Sequence, residues 1–283
     1  MKKSILSLLF LTTLISAYCQ QNKQVTREQL DLFKKSTTYV VMDNNPMLGY
    51  NIVIKSAVEK YWKITPYKII PYETFDSIRN NPSNSFILLT KVNLTKDKKE
   101  AEYLYLNVLM GDKVKEINDM PEILTLPLDY SGVDENSYTY KVGVMIRFAQ
   151  DHVKTMMASD RITQFRNLKV YNLNVRDIKT KILLVEQKDM AEEVNSLEKI
   201  AAIYPYPINF VTSDDIEKAV FNQSPNTLIL HQIEPGEEDR VGRCYKIIYG
   251  VSDNKIYYYN FEAITQKRPA GMTAKDFRRI AGL

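Results

Sequence analysis

Cysteine, histidine and glycine are all scarce in this chain of 283 residues, which has two, two and nine of them. Each shortage closes off a class of chemistry. Nine unclustered glycines provide no phosphate-cradling loop, because such loops need backbone N–H groups to converge without Cβ atoms in the way. Two histidines, with no His-Glu-x-x-His helix and no Gly-x-Ser-x-Gly elbow, remove the familiar zinc-hydrolase and serine-nucleophile patterns. No cofactor, catalytic residue or metal site is therefore expected. Of the two cysteines, Cys19 ends an amino-terminal segment that has the layout of an export signal. Lys2 and Lys3 form its charged start, Ile5–Ile15 its apolar centre, and Ala17-Tyr18-Cys19 a cleavage site before Gln20. The apolar run is shorter than the ~20 residues that span a bilayer. Cys19 also offers a lipid attachment point, which the bulky Tyr18 beside it argues against. Cleavage would leave Cys244 as the last cysteine and exclude an intramolecular disulfide.

A strong charge of either sign is also missing. Removing Lys2 and Lys3 with the signal lowers the formal charge from +4 to +2. Nucleic acid, which calls for a clustered basic face, is not an expected partner. The expected location is the periplasm of a bacterium or beyond, with no transmembrane segment in the mature chain.

A repeat organises the remainder. Lys179–Ile229 follows the plan of Thr37–Leu88: strand, helix, strand, helix, strand. Tyr39-Val40-Val41-Met42 and Ile182-Leu183-Leu184-Val185 are the leading strands. At an offset of 143, Ile54, Ala57, Val58 and Tyr61 fall on Leu197, Ile200, Ala201 and Tyr204, each set one stripe of a helix. At an offset of 142, Phe86, Ile87 and Leu88 fall on Leu228, Ile229 and Leu230, each run preceded by a polar, proline-containing breaker.

The expected fold is α/β: two tandem copies of a small unit, at 20–160 and 161–283. Each is a mixed sheet of three parallel strands plus an antiparallel hairpin, with packing helices. Near-continuous apolar strands suit a sheet covered on both faces. Tyr103–Met110 with Ile123–Leu128, and Cys244–Val251 with Lys255–Ile264, are the two hairpins. Tyr138–Met157 and Thr273–Ile280 are the closing helices. Residues 158–177 link the copies, with Leu168–Leu173 as a candidate extra strand.

Ligands of open α/β sheets sit beyond the carboxyl ends of the parallel strands. In the second copy that rule selects His231, directly after Leu228–Leu230, with Glu186, Gln187, Lys188, Ser213 and Asp214 on the same edge. A histidine beside carboxylates suits acid–base work, although Ser213 and Asp214 also suit helix capping. In the first copy the corresponding residues are Asp43, Asn44 and Asn45. His152 lies on an apolar helix stripe and is expected in the core. The acidic run Glu234, Glu237, Glu238 and Asp239 lacks the alternating ligands of a calcium loop, and Lys96, Lys98 and Lys99 occupy the matching loop of the first copy.

Tyrosine is plentiful. Alternation puts Tyr257 and Tyr259 on one face of the last hairpin and Tyr258 on the other, with Tyr245 and Tyr249 across from them. One face must pack on the core; the other would offer an aromatic platform to an envelope protein or a glycan. The function expected is therefore binding or envelope assembly without catalysis. Two alternatives remain: an exported hydrolase built on His231, and a periplasmic small-molecule carrier with a deep cleft between its copies.

Overall fold

The computed structural model describes residues 23–93, 102–235, 242–264 and 270–282. The Met1–Cys19 segment, the three loop lysines and Glu237, Glu238 and Asp239 lie outside the described residues. Thr26 opens α1 (Arg27–Phe33) with the expected capping box to Gln29. The first unit then runs β1 (Thr37–Val41), α2 (Gly49–Tyr61), β2 (Tyr67–Ile70), α3 (Tyr72–Ile78), β3 (Asn84–Asn93), β4 (Glu102–Met110), β5 (Glu122–Tyr130) and α4 (Val142–Ala158). The second repeats it as β6 (Ile182–Val185), α5 (Leu197–Ala201), β7 (Ile208–Phe210), α6 (Ser213–Phe221), β8 (Thr227–Ile233), β9 (Gly242–Gly250), β10 (Ile256–Ile264) and α7 (Ala274–Ala281).

Each unit is a mixed five-stranded sheet, ordered β2-β1-β3-β4-β5 and β7-β6-β8-β9-β10. The first three strands of each order are parallel and the last two add antiparallel. The two-unit α/β architecture expected from the repeat is thus present.

The register corrects the sequence match in one place. Val40 pairs with Ile87, and Leu183 pairs with Leu228. Val40 and Ile87 share a core with Ile54 and Val58 of α2, while Leu183 and Leu228 share one with Ile200 of α5. Ile87 therefore corresponds to Leu228, an offset of 141 instead of 142. A slip of one residue exchanges the faces of a strand, so sequence similarity alone had turned β8 over. The helix match is also only partial. Ile54, Ala57 and Val58 are buried, but of their counterparts Leu197 is 43% exposed and Ala201 is exposed too. The second-copy helix has five residues against thirteen in α2.

Unlike faces of the two units meet. The α2 side of the first sheet and the α6 side of the second belong to one continuous core, whereas the α5 side of the second has its own. The closing helix α4 therefore lies inside, burying Met145, Phe148, Val153 and Met156 among others. α4 packs mainly on α2 and β5 of its own unit and meets the second unit through Phe148, edge-on to Tyr249 at 6.1 Å. Its Arg147 donates to the Val251 carbonyl at 2.7 Å and to Gln223 at 2.9 Å. Tyr105 and Tyr245 share a hydroxyl hydrogen bond of 2.6 Å across the same seam. Instead of the open cleft expected between the copies, these residues form packed core.

The candidate strand at Leu168–Leu173 is not a strand. It belongs to a 3₁₀ segment, Leu168–Thr180, that lies along β10. The Asn172 side chain accepts from the Tyr259 N–H at 2.7 Å and donates to its carbonyl at 3.1 Å, and Asn174 donates to the Ile256 carbonyl at 2.8 Å. Side-chain amides thus satisfy the outer backbone of β10 where a further strand would have done so.

Candidate functional site

The expected tyrosine platform is not a surface. Tyr257, Tyr258, Tyr259, Tyr245 and Tyr249 are all at most 8% exposed. Register shifts between Ile256 and Tyr258 make Tyr257 the extra residue of a bulge, so Tyr257 and Tyr258 both face the core that contains α7. Simple alternation fails at that point. Their hydroxyls are committed inward. Tyr257 donates to Asp253 at 2.5 Å, and Tyr258 donates to Asp276 at 2.6 Å. Asp276 in turn accepts from Lys246 at 2.5 Å and caps α7 through Thr273. Lys246 and its hydrogen-bonding partners hold the Asp276 carboxyl below its usual range, against the opposing effect of burial.

The residues of the second carboxyl edge are not brought together as a catalytic group either. His231 is fully buried within β8, against the backbone of Pro127 and Leu128 from the first unit. Neither ring nitrogen has a hydrogen-bond partner in normal geometry among the described residues. Burial first, then the Lys141 charge, hold the imidazole well below its ordinary pKa, and no carboxylate is among the groups acting on it. Asp214 is exposed in the first turn of α6, while Glu186 is paired with Lys188 at 3.1 Å. The cap of α6 is Thr212 with Asp215, rather than Ser213 and Asp214.

The first unit supplies what covers this second edge. Asp129 follows the end of β5's contact with His231, and Tyr140 and Lys141 lie between α6 and α2. Burial lowers the Lys141 pKa despite Asp189, Asp129 and Glu186 nearby, and raises Asp189 to about 7. Asp129 is also raised by burial, although it accepts from Ser137 at 2.6 Å.

At the first carboxyl edge, β1 feeds β2 on one side and borders β3 on the other, the switch point at which open sheets bind ligands. Two clefts meet there at Met42, Asp43, Asn44 and Tyr72. One, of about 810 Å³, runs between β2 and α2 past Ile52, Ile69 and Pro71. The other, of about 400 Å³, runs over the end of β3 past Thr90, Lys91 and Asn118.

The loop at their junction is held in shape by its own side chains. Asn51, buried at the start of α2, accepts from the Asp43 N–H at 2.8 Å and donates to the carbonyls of Asp43 and Asn45 at 3.1 and 3.0 Å. Asp43 accepts from the Asn45 N–H, and Asn45 from that of Met47. Partial burial raises the pKa of Tyr72, with Asp76 and Asp43 contributing. The N-terminus of α2, a ready anion site in principle, is already occupied, because Glu135 accepts from the Gly49 N–H at 2.5 Å. A Cβ on Gly49 would stand 2.6 Å from that carboxylate, which would have to swing aside. The edge therefore offers hydrogen-bonding side chains and apolar surface, without a phosphate cradle.

Sequence reasoning reached Asp43, Asn44 and Asn45 through the strand-end rule. It missed Tyr72, Thr90, Lys91 and Asn118, which come from three other segments and carry no local signature. Among the described residues, no group of His, Cys, Asp and Glu is placed to hold a metal, and no helix is long and apolar enough to cross a membrane.

Fold and edge together define a two-unit α/β protein in which, among the described residues, two clefts open at the carboxyl edge of the first sheet. No family model matches the chain, and neither the curated proteins nor the solved structures provide a match.

Proposed function

We propose that this is an exported bacterial protein of the cell envelope that works by binding, not catalysis, and that its partner engages the carboxyl edge of the first sheet. One observation carries the location: the two clefts converge on Met42–Asn44, in a loop pre-ordered by Asn51. Pre-ordering lowers the entropic cost of binding. Export is supported by the Lys2-Lys3 start and apolar run of the amino-terminal segment. The enclosure of His231 weighs against the hydrolase alternative, because a general base must reach the proton it takes.

The test is affinity capture from the cell envelope with residues 20–283 as bait. Wild type is compared with Tyr72→Ala, at the junction of the clefts, and Leu173→Lys, 67% exposed beside β10. A partner kept by Leu173→Lys and lost by Tyr72→Ala supports the site. A partner kept by both variants removes it. Cell fractionation with amino-terminal sequencing checks export; an uncleaved cytoplasmic chain would refute that half of the reading.

A further inference from the structure

We infer that the larger cleft takes an extended peptide segment, apolar and basic, which adds to the free edge of β2. The inference rests on the binding site proposed above and names the chemistry of its partner. Three observations converge on it.

The first is the state of the sheet edges. Residues Lys23–Val25 cover β5, with Val25 donating to Glu122 at 3.1 Å and Glu122 to Lys23 at 2.7 Å. Asn172 and Asn174 cover β10. At β2, the carbonyls of Pro66 and Ile70 accept from Thr38 and Met42 of the β1 segment. The alternation of a parallel ladder then points the N–H and C=O of Tyr67 and Ile69 outward, where they have no partner among the described residues. An exposed edge is the usual template for an added strand.

The second is the apolar surface beside that edge. Ile69 lines the cleft itself, with Ile52 opposite on α2, and Ile52 is 72% exposed. Met47, next to the cleft residue Pro46, is 86% exposed. Together these side chains give the apolar residues of a partner a surface to pack on.

The third is the charge of the rim. Asp43, Glu59 and Glu73 line the cleft against a single Lys55, and none of these carboxylates forms an ion pair among the described residues. A peptide presenting apolar side chains to Ile52 and Ile69, with lysine or arginine between them, complements both surface and charge. β7, the matching edge of the second sheet, is only three residues long.

The experiment is fluorescence anisotropy with residues 20–283 and two labelled peptides, one alternating valine with lysine and the other valine with glutamate. The lysine peptide is expected to bind at least tenfold more tightly, with affinity falling as salt rises. N-methylation of alternate amides, which removes strand donors but keeps the side chains, should weaken it at least tenfold. Ile52→Lys should do the same and Leu173→Lys should not. Equal affinity for the two peptides, indifference to N-methylation, or no binding of either at millimolar concentration would overturn the inference. If Tyr72→Ala abolishes envelope capture while neither peptide binds, the binding site stands and the peptide chemistry falls.

Discussion

The two carboxyl edges have the same strand order and opposite fates. At the first, the loop after β1 faces solvent across two clefts. At the second, the backbone of Pro127 and Leu128 lies on His231, and Tyr140 and Lys141 approach Glu186 and Asp189. The difference follows from how the copies pack. Because the α2 side of one unit meets the α6 side of the other, the contact is heterologous, and each copy loses a different surface. Two sheets of the same order can thus leave one carboxyl edge open and bury the other in a joint. It also puts α4 inside and leaves its counterpart α7 outside, with Arg278 exposed.

The largest effect should separate a buried ion pair of the second unit from a neutral hydrogen bond of the first. The second contains the buried Lys246–Asp276 pair, at 2.5 Å and nearly inaccessible. The first contains a neutral group, in which Asn107 donates to Thr90 and accepts from Thr125. Lys246→Met leaves a buried, uncompensated carboxylate and should cost about 3–5 kcal/mol, measured by urea unfolding. Adding Asp276→Asn, which removes the stranded charge but keeps an acceptor for Tyr258 and Thr273, should recover part of the loss. Thr125→Val, which removes a neutral hydrogen bond, should cost only about 1 kcal/mol. Equal losses for Lys246→Met and Thr125→Val would show that the ion pair is no costlier to break than the neutral bond.

The next effect is on pH dependence, where the seam has groups of opposite sign. His152 of α4 is neutral between Tyr171 at 2.7 Å and the Ile123 carbonyl at 3.1 Å, and burial lowers its pKa from 6.5 to about 4. A depressed histidine gives its full contribution above the unfolded pKa and loses it as pH falls toward the folded one. From pH 6.5 to 4 this amounts to about 3 kcal/mol. Asp189 runs the other way. With its pKa raised from 3.8 to about 7, it costs stability above neutrality, and that cost relaxes as pH falls. His152→Gln should flatten the acid-side loss of stability, whereas Asp189→Asn should raise stability most at pH 8. A His152→Gln profile parallel to wild type between pH 6.5 and 4 would refute the assignment.

A smaller effect tests the seam by one bond. Tyr245→Phe removes the hydroxyl partner of Tyr105 and leaves the ring contacts with Tyr103 and Phe261 in place. The cost should be about 0.5–1.5 kcal/mol. Tyr105→Phe should cost a similar amount and the double variant little more than either, because both remove the same bond. Strict additivity in thermal unfolding would mean that the two hydroxyls do not act together.

Strand type and order were legible because strong apolar runs separated by proline and polar breakers leave little freedom. Phe86–Leu88 and Leu228–Leu230 are such runs. Their facing was not legible: three consecutive apolar residues match a counterpart equally well one position along, and only pairing fixes the choice. The tyrosine hairpin failed for a similar reason. The bulge at Tyr257 adds one residue, and nothing in Tyr257-Tyr258-Tyr259 marks where. The strand-end rule found Asp43 and also selected His231, because it says where sites form on a single sheet and is blind to a second sheet laid over the edge.

The smallest effect is expected at Leu197, set against its sequence counterpart Ile54. Ile54 and Leu197 correspond at the sequence offset of 143, and both read as the first apolar position of a helix stripe. Ile54 is fully buried in the middle of the long α2, whereas Leu197 begins the five-residue α5 and is 43% exposed. Truncating Ile54 to alanine should cost about 2–5 kcal/mol, since it opens a cavity in packed core. Leu197→Ala should stay within about 0.5 kcal/mol, as surface changes usually do. Each is measured by urea unfolding on the same chain, residues 20–283, so that the denatured states are comparable. A Leu197→Ala loss near that of Ile54→Ala would mean that α5 packs as a full counterpart of α2, which would return the helix match to strict repeat symmetry. A near-neutral result would mean that the second unit has kept the repeat's pattern after losing the packing that produced it. That is the outcome expected if the second copy serves as a joint, since what it must retain is the seam against α4 rather than an intact α5.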